Sequence, residues 1–313
     1  MKRGFPAAIL ISGCLAGWLS LAACDAHPPQ GQRAAEAAQA QAAAKAAARK
    51  GEAARAAAAA ARSRMAQARA AQPRVTVTRV RTSDGSLVTI AIFRGTVRYV
   101  LHDGGADPYI RPGAVSARSV VTGTERGQLL AAFNGGFKMS AGAGGYEQEG
   151  HVFYPLSTGL ASLVIDRSGR ARIGVWGDGE PAPGEQVYSV RQNLRPLVRD
   201  GRPTAAASDW PLWGATLGGG EYVARSAVGQ DVAGDLIYAG SMSTTPYDLA
   251  QALARSGARI AMELDINPAW VQLDVAREPG GALRAQLPSQ IRSADQYTEG
   301  WSRDFFTVLA PAR

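Results

Sequence analysis

Cysteine is nearly absent. Cys14 and Cys24 are the only two, and both fall in the first 24 residues, so the rest of the chain can form neither a disulfide nor a cysteine metal site. Histidine is almost as scarce. His27, His102 and His151 are too few for a histidine metal cage, although one of them can still ligate beside carboxylates. No phosphate-binding Gly-x4-Gly-Lys-Ser/Thr loop, no Gly-x-Ser-x-Gly nucleophile elbow and no internal repeat occurs. The net charge of +8 suggests a polyanion partner until it is located. Residues 32–72 hold eight basic side chains against two acidic ones, which leaves residues 73–313 close to neutral. The folded part therefore carries no broad footprint for nucleic acid, and no nucleic-acid partner is expected.

What is present at the start is a leader. Lys2 and Arg3 precede an apolar run from Ala7 to Ala23, the layout of a secretion signal over residues 1–24. Its end, Leu21-Ala22-Ala23-Cys24, resembles a bacterial lipobox, in which the cysteine is lipidated and becomes the first residue after cleavage. The competing reading is a plain signal peptide cut nearby, or an uncleaved membrane anchor. The lipobox also accounts for a lone thiol in an exported protein. Residues 25–72 form a spacer. After a short Pro/Gln/Gly stretch comes an alanine-rich tract dotted with arginine, strong in helix propensity. Apart from Met65 it has no large apolar residue with which to join a core. A solvated helix, broken or frayed near Gly51, is predicted here. Its positive charge also suits contact with anionic lipid or wall polymers.

Residues 73–313 have globular composition and read as one α+β domain of mixed and antiparallel sheets with a few packed helices. Val75–Arg81 and Leu87–Phe93 flank an Asp84-Gly85-Ser86 turn as a hairpin. Further strands are predicted at 96–102, 128–133, 161–165, 171–176, 187–190, 197–198, 221–227, 235–238 and 301–309, with a loop at 284–292. The apolar run Gln128–Phe133 leads into Asn134-Gly135-Gly136-Phe137-Lys138, where paired glycines let the backbone turn and aim N–H groups at an anion. An ordinary Asn-Gly turn reads equally from the same residues. The glycine-rich stretch 139–150 ends in Glu147, Glu149 and His151, which suit a mobile lid, a metal loop or a plain surface loop.

The densest chemistry lies in Gly257–Trp270. Pro246–Ser256 reads as an amphipathic helix, capped by Thr244 or Thr245 and closed by Gly257. Ile260, Met262, Leu264 and Ile266 then alternate with Ala261, Glu263, Asp265 and Asn267, the pattern of a strand with one apolar and one polar face. Carboxylates two residues apart on a strand have Cα atoms about 6.5–7 Å apart and can converge on one small object. A solvated polar face or a structural ion pair fits the same pattern.

Four landmarks occur in a recognisable order: Asn134-Gly135-Gly136-Phe137 after an apolar strand, Leu197-Val198-Arg199-Asp200-Gly201, Ala224-Arg225-Ser226-Ala227-Val228-Gly229, and a helix leading to the Asp265 strand. Together they resemble the phosphodiester glycosidase domain family over roughly residues 75–311. The family's run of glycines and serines after the aspartate is replaced here by Ile266-Asn267-Pro268, and its Arg-Thr by Arg225-Ser226, so the chain resembles a divergent bacterial branch.

The resemblance implies cleavage of a sugar-1-phosphodiester, whose phosphate is a good leaving group. Such a reaction needs a cation for the phosphate and a carboxylate at the anomeric centre. Arg225 offers a bidentate fork for phosphate oxygens, or else an ion pair within the fold. Asp265 is the candidate base or nucleophile and Glu263 the partner acid. Asn134, Gly135, Gly136 and Asn267 are candidate substrate contacts. Glu149 and His151 are weaker additions, and Trp210, Trp213 and Trp270 are either stacking platforms or core. The residues specify no cofactor, and a divalent cation, Ca²⁺ or Mg²⁺, is compatible. The expected protein is an exported hydrolase, held to a bacterial membrane through Cys24 and acting on a glycan or glycosyl phosphate of the envelope. The alternative is a catalytically silent carbohydrate-binding or scaffold module. The enzyme requires Arg225, Asn134 and Asp265 to converge on one pocket.

Overall fold

The computed structural model of the chain describes residues 30–215 and 219–311. The leader and Cys24 lie outside the described residues. The chain divides into two units at Met65. In the first lies most of a 41-residue helix, Gln30–Ala70, about 60 Å long at 1.5 Å per residue. Its side chains are exposed from Gln30 to Ala60, as expected of a tract with no apolar stripe. It runs through Gly51 without a break, contrary to the expected fraying. One glycine costs about 1 kcal/mol against alanine, which its strongly helix-forming neighbours outweigh. Among the described residues, no helix is long and apolar enough to cross a membrane.

The second unit is α+β, built on three sheets whose strand pairs are antiparallel but for one short parallel pair. The largest runs, edge to edge, through Val75–Arg81, Leu87–Phe93, Leu236–Thr244, Val223–Gln230, Ile260–Glu263, Val198–Arg199 and Arg202–Pro203. A second has five strands, with Leu129–Asn134 between Leu273–Ala276 and Phe305–Leu309. The third has six, with Ser189–Gln192 between Tyr146–Gln148 and Ala161–Ile165. Side chains from all three meet in one central core, where Phe133 stacks on Phe93 and Phe306 at 5.7 and 5.3 Å. The other face of the seven-stranded sheet is covered by the helix Pro246–Arg255 and by Trp213.

That helix starts as its sequence dictates. Thr245 Oγ1 accepts the Asp248 N–H, Pro246 takes the first helical position, and Gly257 closes the C-terminus with φ +104°. The strand after it is shorter than predicted. It ends at Glu263 rather than running to Asn267. Nor does it have one solvated face: Ile260, Met262 and Leu264 pack into the central core while Ala261 packs under the helix. Period-two alternation marks two environments, and here both are interior. The hairpin and the strands at 161–165 and 171–176 form at the predicted residues. Leu273–Ala276, Leu283–Ala285 and the helices Gly123–Gln128 and Gln296–Glu299 are additions that the sequence did not announce.

Candidate active site

A cleft of about 840 Å³ opens beside the end of the Ile260–Glu263 strand. Among the described residues, Asp265 and Lys138 are the charged side chains that line it. Asp265 sits just past the strand, where Ile266-Asn267-Pro268 turns the chain away. Its Oδ1 accepts the N–H groups of Ile266 and Asn267 at 2.7 and 2.8 Å, so the carboxylate braces its own turn. Its Oδ2 accepts no hydrogen bond from the described residues and faces Arg303 Nη2 at 3.8 Å. The residue is 3 % exposed. Burial pushes the carboxyl up to about 7, against the downward pull of the Asn267 N–H and Arg303. A carboxyl near 7 beside a cleft is poised for proton transfer at neutral pH. Asn267 also lines the cleft, and its Oδ1 accepts the Ala269 N–H at 2.9 Å.

Glu263 does not join Asp265 in the cleft. It is fully buried, with Oε1 accepting from Arg225 Nη1 at 2.9 Å. Arg225 is equally buried and donates further to the carbonyls of Thr244, Trp213 and Glu221. Its fork is therefore engaged inside the fold, and the ion pair weighed for it in the sequence is the arrangement found. Burial pushes the Glu263 carboxyl up to about 7 although Arg225 pulls it down, and the Asp265 charge adds to the rise.

Asn134, Gly135 and Gly136 are likewise placed behind the cleft rather than on it. Asn134 Oδ1 accepts from Tyr238 Oη and the Gln272 N–H, and its Nδ2 donates to Ser226 Oγ at 2.9 Å. Ser226 Oγ in turn accepts the Asp265 N–H at 3.1 Å. Asn134 thus reaches Asp265 through one hydroxyl. The two glycine N–H groups do meet an anionic residue, but it is the protein's own. Gly135 donates to the Asp304 carbonyl, and Gly136 to Asp304 Oδ2. A Cβ on Gly135 would run into the Asp304 carboxylate, and one on Gly136 would lie 2.8 Å from Arg191 Cζ. The glycines serve close approach. Arg191, buried, lies on the strand Ser189–Gln192, one residue past the end predicted for it, and pairs with Asp304 Oδ2 at 2.7 Å.

So the candidate residues cluster, but of them only Asp265, Asn267 and Trp270 line the cleft. Two cations were missed. Lys138 follows the paired glycines, is exposed, and holds its Nζ 5.0 Å from the Trp270 ring centroid. Arg303 lies 4.5 Å from the same centroid, donates to the Gly136 carbonyl at 2.8 Å and pairs with Asp107. Its signal in the sequence was the charged Arg303-Asp304 step just before an apolar strand. Trp270 lines the cleft, whereas Trp213 is core with its indole N–H on the Ala206 carbonyl. Glu149 holds the Ser116 and Ala117 N–H groups, and neither it nor His151 lines the cleft. Among the described residues, no group of three or more His, Cys, Asp or Glu side chains is arranged to hold a metal ion.

Residues 127–265 match the phosphodiester glycosidase family. The match contains Asn134, Arg225 and Asp265 but stops before Trp270 and Arg303. The catalytic domain of zebrafish N-acetylglucosamine-1-phosphodiester alpha-N-acetylglucosaminidase, solved in a form auto-inhibited by its pro-peptide, is similar in fold. The similarity spans 77 % of this chain and 85 % of that one at 17 % identity, with a TM-score of 0.50. A Synechocystis protein aligns over 77 % of this chain and 65 % of its own at 13 % identity and a TM-score of 0.41. No curated protein sequence matches the chain. The family match over residues 127–265 agrees with the resemblance read from the order of the landmarks.

Proposed function

We propose that the protein is an exported, lipid-anchored hydrolase that cleaves a glycosyl phosphodiester of the cell envelope at its anomeric C–O bond. The observation that carries this reading is Asp265, a buried carboxyl on the cleft wall, raised to about 7, whose Oδ2 accepts no hydrogen bond from the described residues. Water's hydroxyl adds to the anomeric carbon, and the C–O electron pair leaves on the phosphate. The products are a free sugar and a phosphomonoester. Asp265 acts as the base that takes the water's proton or as the nucleophile that first attacks the carbon. The good leaving group relieves the need for a strong acid, which suits a cleft in which Glu263 is tied to Arg225.

Lys138 takes the phosphate, the role that Arg225, with its donors engaged inside the fold, does not fill. Asn267 contacts the substrate beside Asp265. Arg225, Glu263, Asn134 and the glycine pair keep the position of Asp265 fixed. The Leu21-Ala22-Ala23-Cys24 sequence supports the anchor, and the long solvated helix supports a spacer role.

The test is hydrolysis of a panel of sugar-1-phosphodiesters, UDP-N-acetylglucosamine among them, by the full chain and its Asp265→Asn variant, with and without Ca²⁺ or Mg²⁺. Turnover that the variant loses supports the reading. No turnover together with retained glycan binding leaves the silent binding module in its place.

A further inference from the structure

The cleft is larger and more apolar than a sugar phosphate needs. Its volume of about 840 Å³ admits a ligand of drug size. Among the described residues its polar lining is brief: Lys138, Ser140, Asp265 and Asn267. The remainder is mostly hydrocarbon, with Phe137, Leu194, Leu212, Met242, Ile266 and the Trp270 ring among the lining side chains. Leu212 is 41 % exposed at the cleft, a large apolar side chain left in water. An alcohol that is itself a sugar carries a hydroxyl on most of its carbons. Each hydroxyl withdrawn from water without a partner is a cost, and this lining offers few partners. A hydrocarbon alcohol gains from the same lining.

We infer that the phosphodiester taken by this cleft joins its sugar to a long hydrocarbon alcohol, the class of lipid-linked glycosyl phosphates. The inference rests on the hydrolase reading for its reaction and on the cleft lining for its aglycone. Among the described residues, the one lining cation, Lys138, matches the single negative charge of a diester, and Asp265 disfavours the second charge of a phosphomonoester. Hydrolysis consumes one water and yields the free sugar and an alkyl phosphate.

The experiment compares three diesters of N-acetylglucosamine 1-phosphate below their micellar concentrations, with methyl, decyl and glucose-6-yl aglycones, on the full chain. The decyl diester is expected to exceed both others at least tenfold in kcat/KM, mainly through KM. Leu212→Asp is expected to erase most of that ratio. Equal rates, a preference for the glucose-linked diester, or a ratio untouched by Leu212→Asp overturns the inference. Should none of the three be cleaved, the hydrolase reading fails and binding decides the aglycone. Titration calorimetry then compares decyl phosphate with inorganic phosphate on the full chain, on Leu212→Asp and on Lys138→Gln. Binding of decyl phosphate at least tenfold tighter than inorganic phosphate and weakened by both variants upholds the inference. Equal or absent binding rejects it.

Discussion

Arg303 holds its guanidinium 3.8 Å from the Asp265 carboxylate, too far for a hydrogen bond and close enough to act on its charge. The pair sets the state of the cleft. Burial raises the carboxyl, Arg303 lowers it, and the balance falls near neutral pH. Arg303 is itself anchored by Asp107 and the Gly136 carbonyl, which ties that balance to the glycine turn.

If Asp265 is the reacting carboxylate, Asp265→Asn lowers turnover by roughly 10²–10⁴-fold, the usual range for a positioned acid or base. Its neutral amide keeps the shape of the side chain and still accepts the two N–H bonds of the turn. Circular dichroism is expected to match the parent, while initial rates on the best diester collapse.

If the ionised Asp265 is the reacting form, kcat/KM rises with pH through about 7 and levels above it. Arg303→Gln removes a charge that favours ionisation, which moves the limb to higher pH. A pH profile whose acid limb lies near 4 in the parent, or stays in place in Arg303→Gln, contradicts this assignment.

Stability follows the opposite course. Burial raises Asp265, Asp274 and Glu263 to about 7 in the folded chain. Between about pH 4 and 7 the folded state therefore keeps protons that the unfolded chain has released. Bound protons are then more numerous in the native state, and stability falls as pH rises through that window. Calorimetry is expected to give a higher Tm at pH 5 than at pH 8, with a smaller difference in Asp274→Asn.

Arg225→Met strands Glu263 in the interior and is expected to cost about 3–5 kcal/mol, the usual penalty for removing one partner of a buried pair. Urea unfolding reads it. Adding Glu263→Leu to the same chain is expected to recover much of the loss, because the uncompensated charge goes with it.

Cys24→Ser tests the anchor. The parent should sediment with membranes and release into detergent, whereas the variant should stay soluble after membrane fractionation.

Much of this fold was legible because local chemistry and tertiary structure agree. The hairpin at 75–93 has its turn residues between alternating runs, and the helix at 246–255 has its cap, proline and closing glycine. The strand carrying Glu263 was harder. Alternation reports a change of environment, and the polar-looking face turned out to lie under a helix with an arginine waiting for the acid. Gly135 and Gly136 were read as candidate substrate contacts, but the acid their N–H groups and close packing meet is Asp304, about 170 positions away along the chain. Pairing over that distance leaves no periodic trace. Lys138 and Arg303 were passed over because a lone cation next to glycines or before a strand has no spacing to mark it.

The Asp265 turn also dictates direction. One oxygen of the carboxylate is committed to the N–H groups of Ile266 and Asn267, which leaves a single atom to meet the substrate. A carboxylate so clamped cannot rotate to present its other side. Any ligand that reacts there must offer its anomeric carbon, or the water beside it, along one approach vector. If Asp265 is the reacting carboxylate, the face of the sugar open to it is then set by the turn that holds its Oδ1.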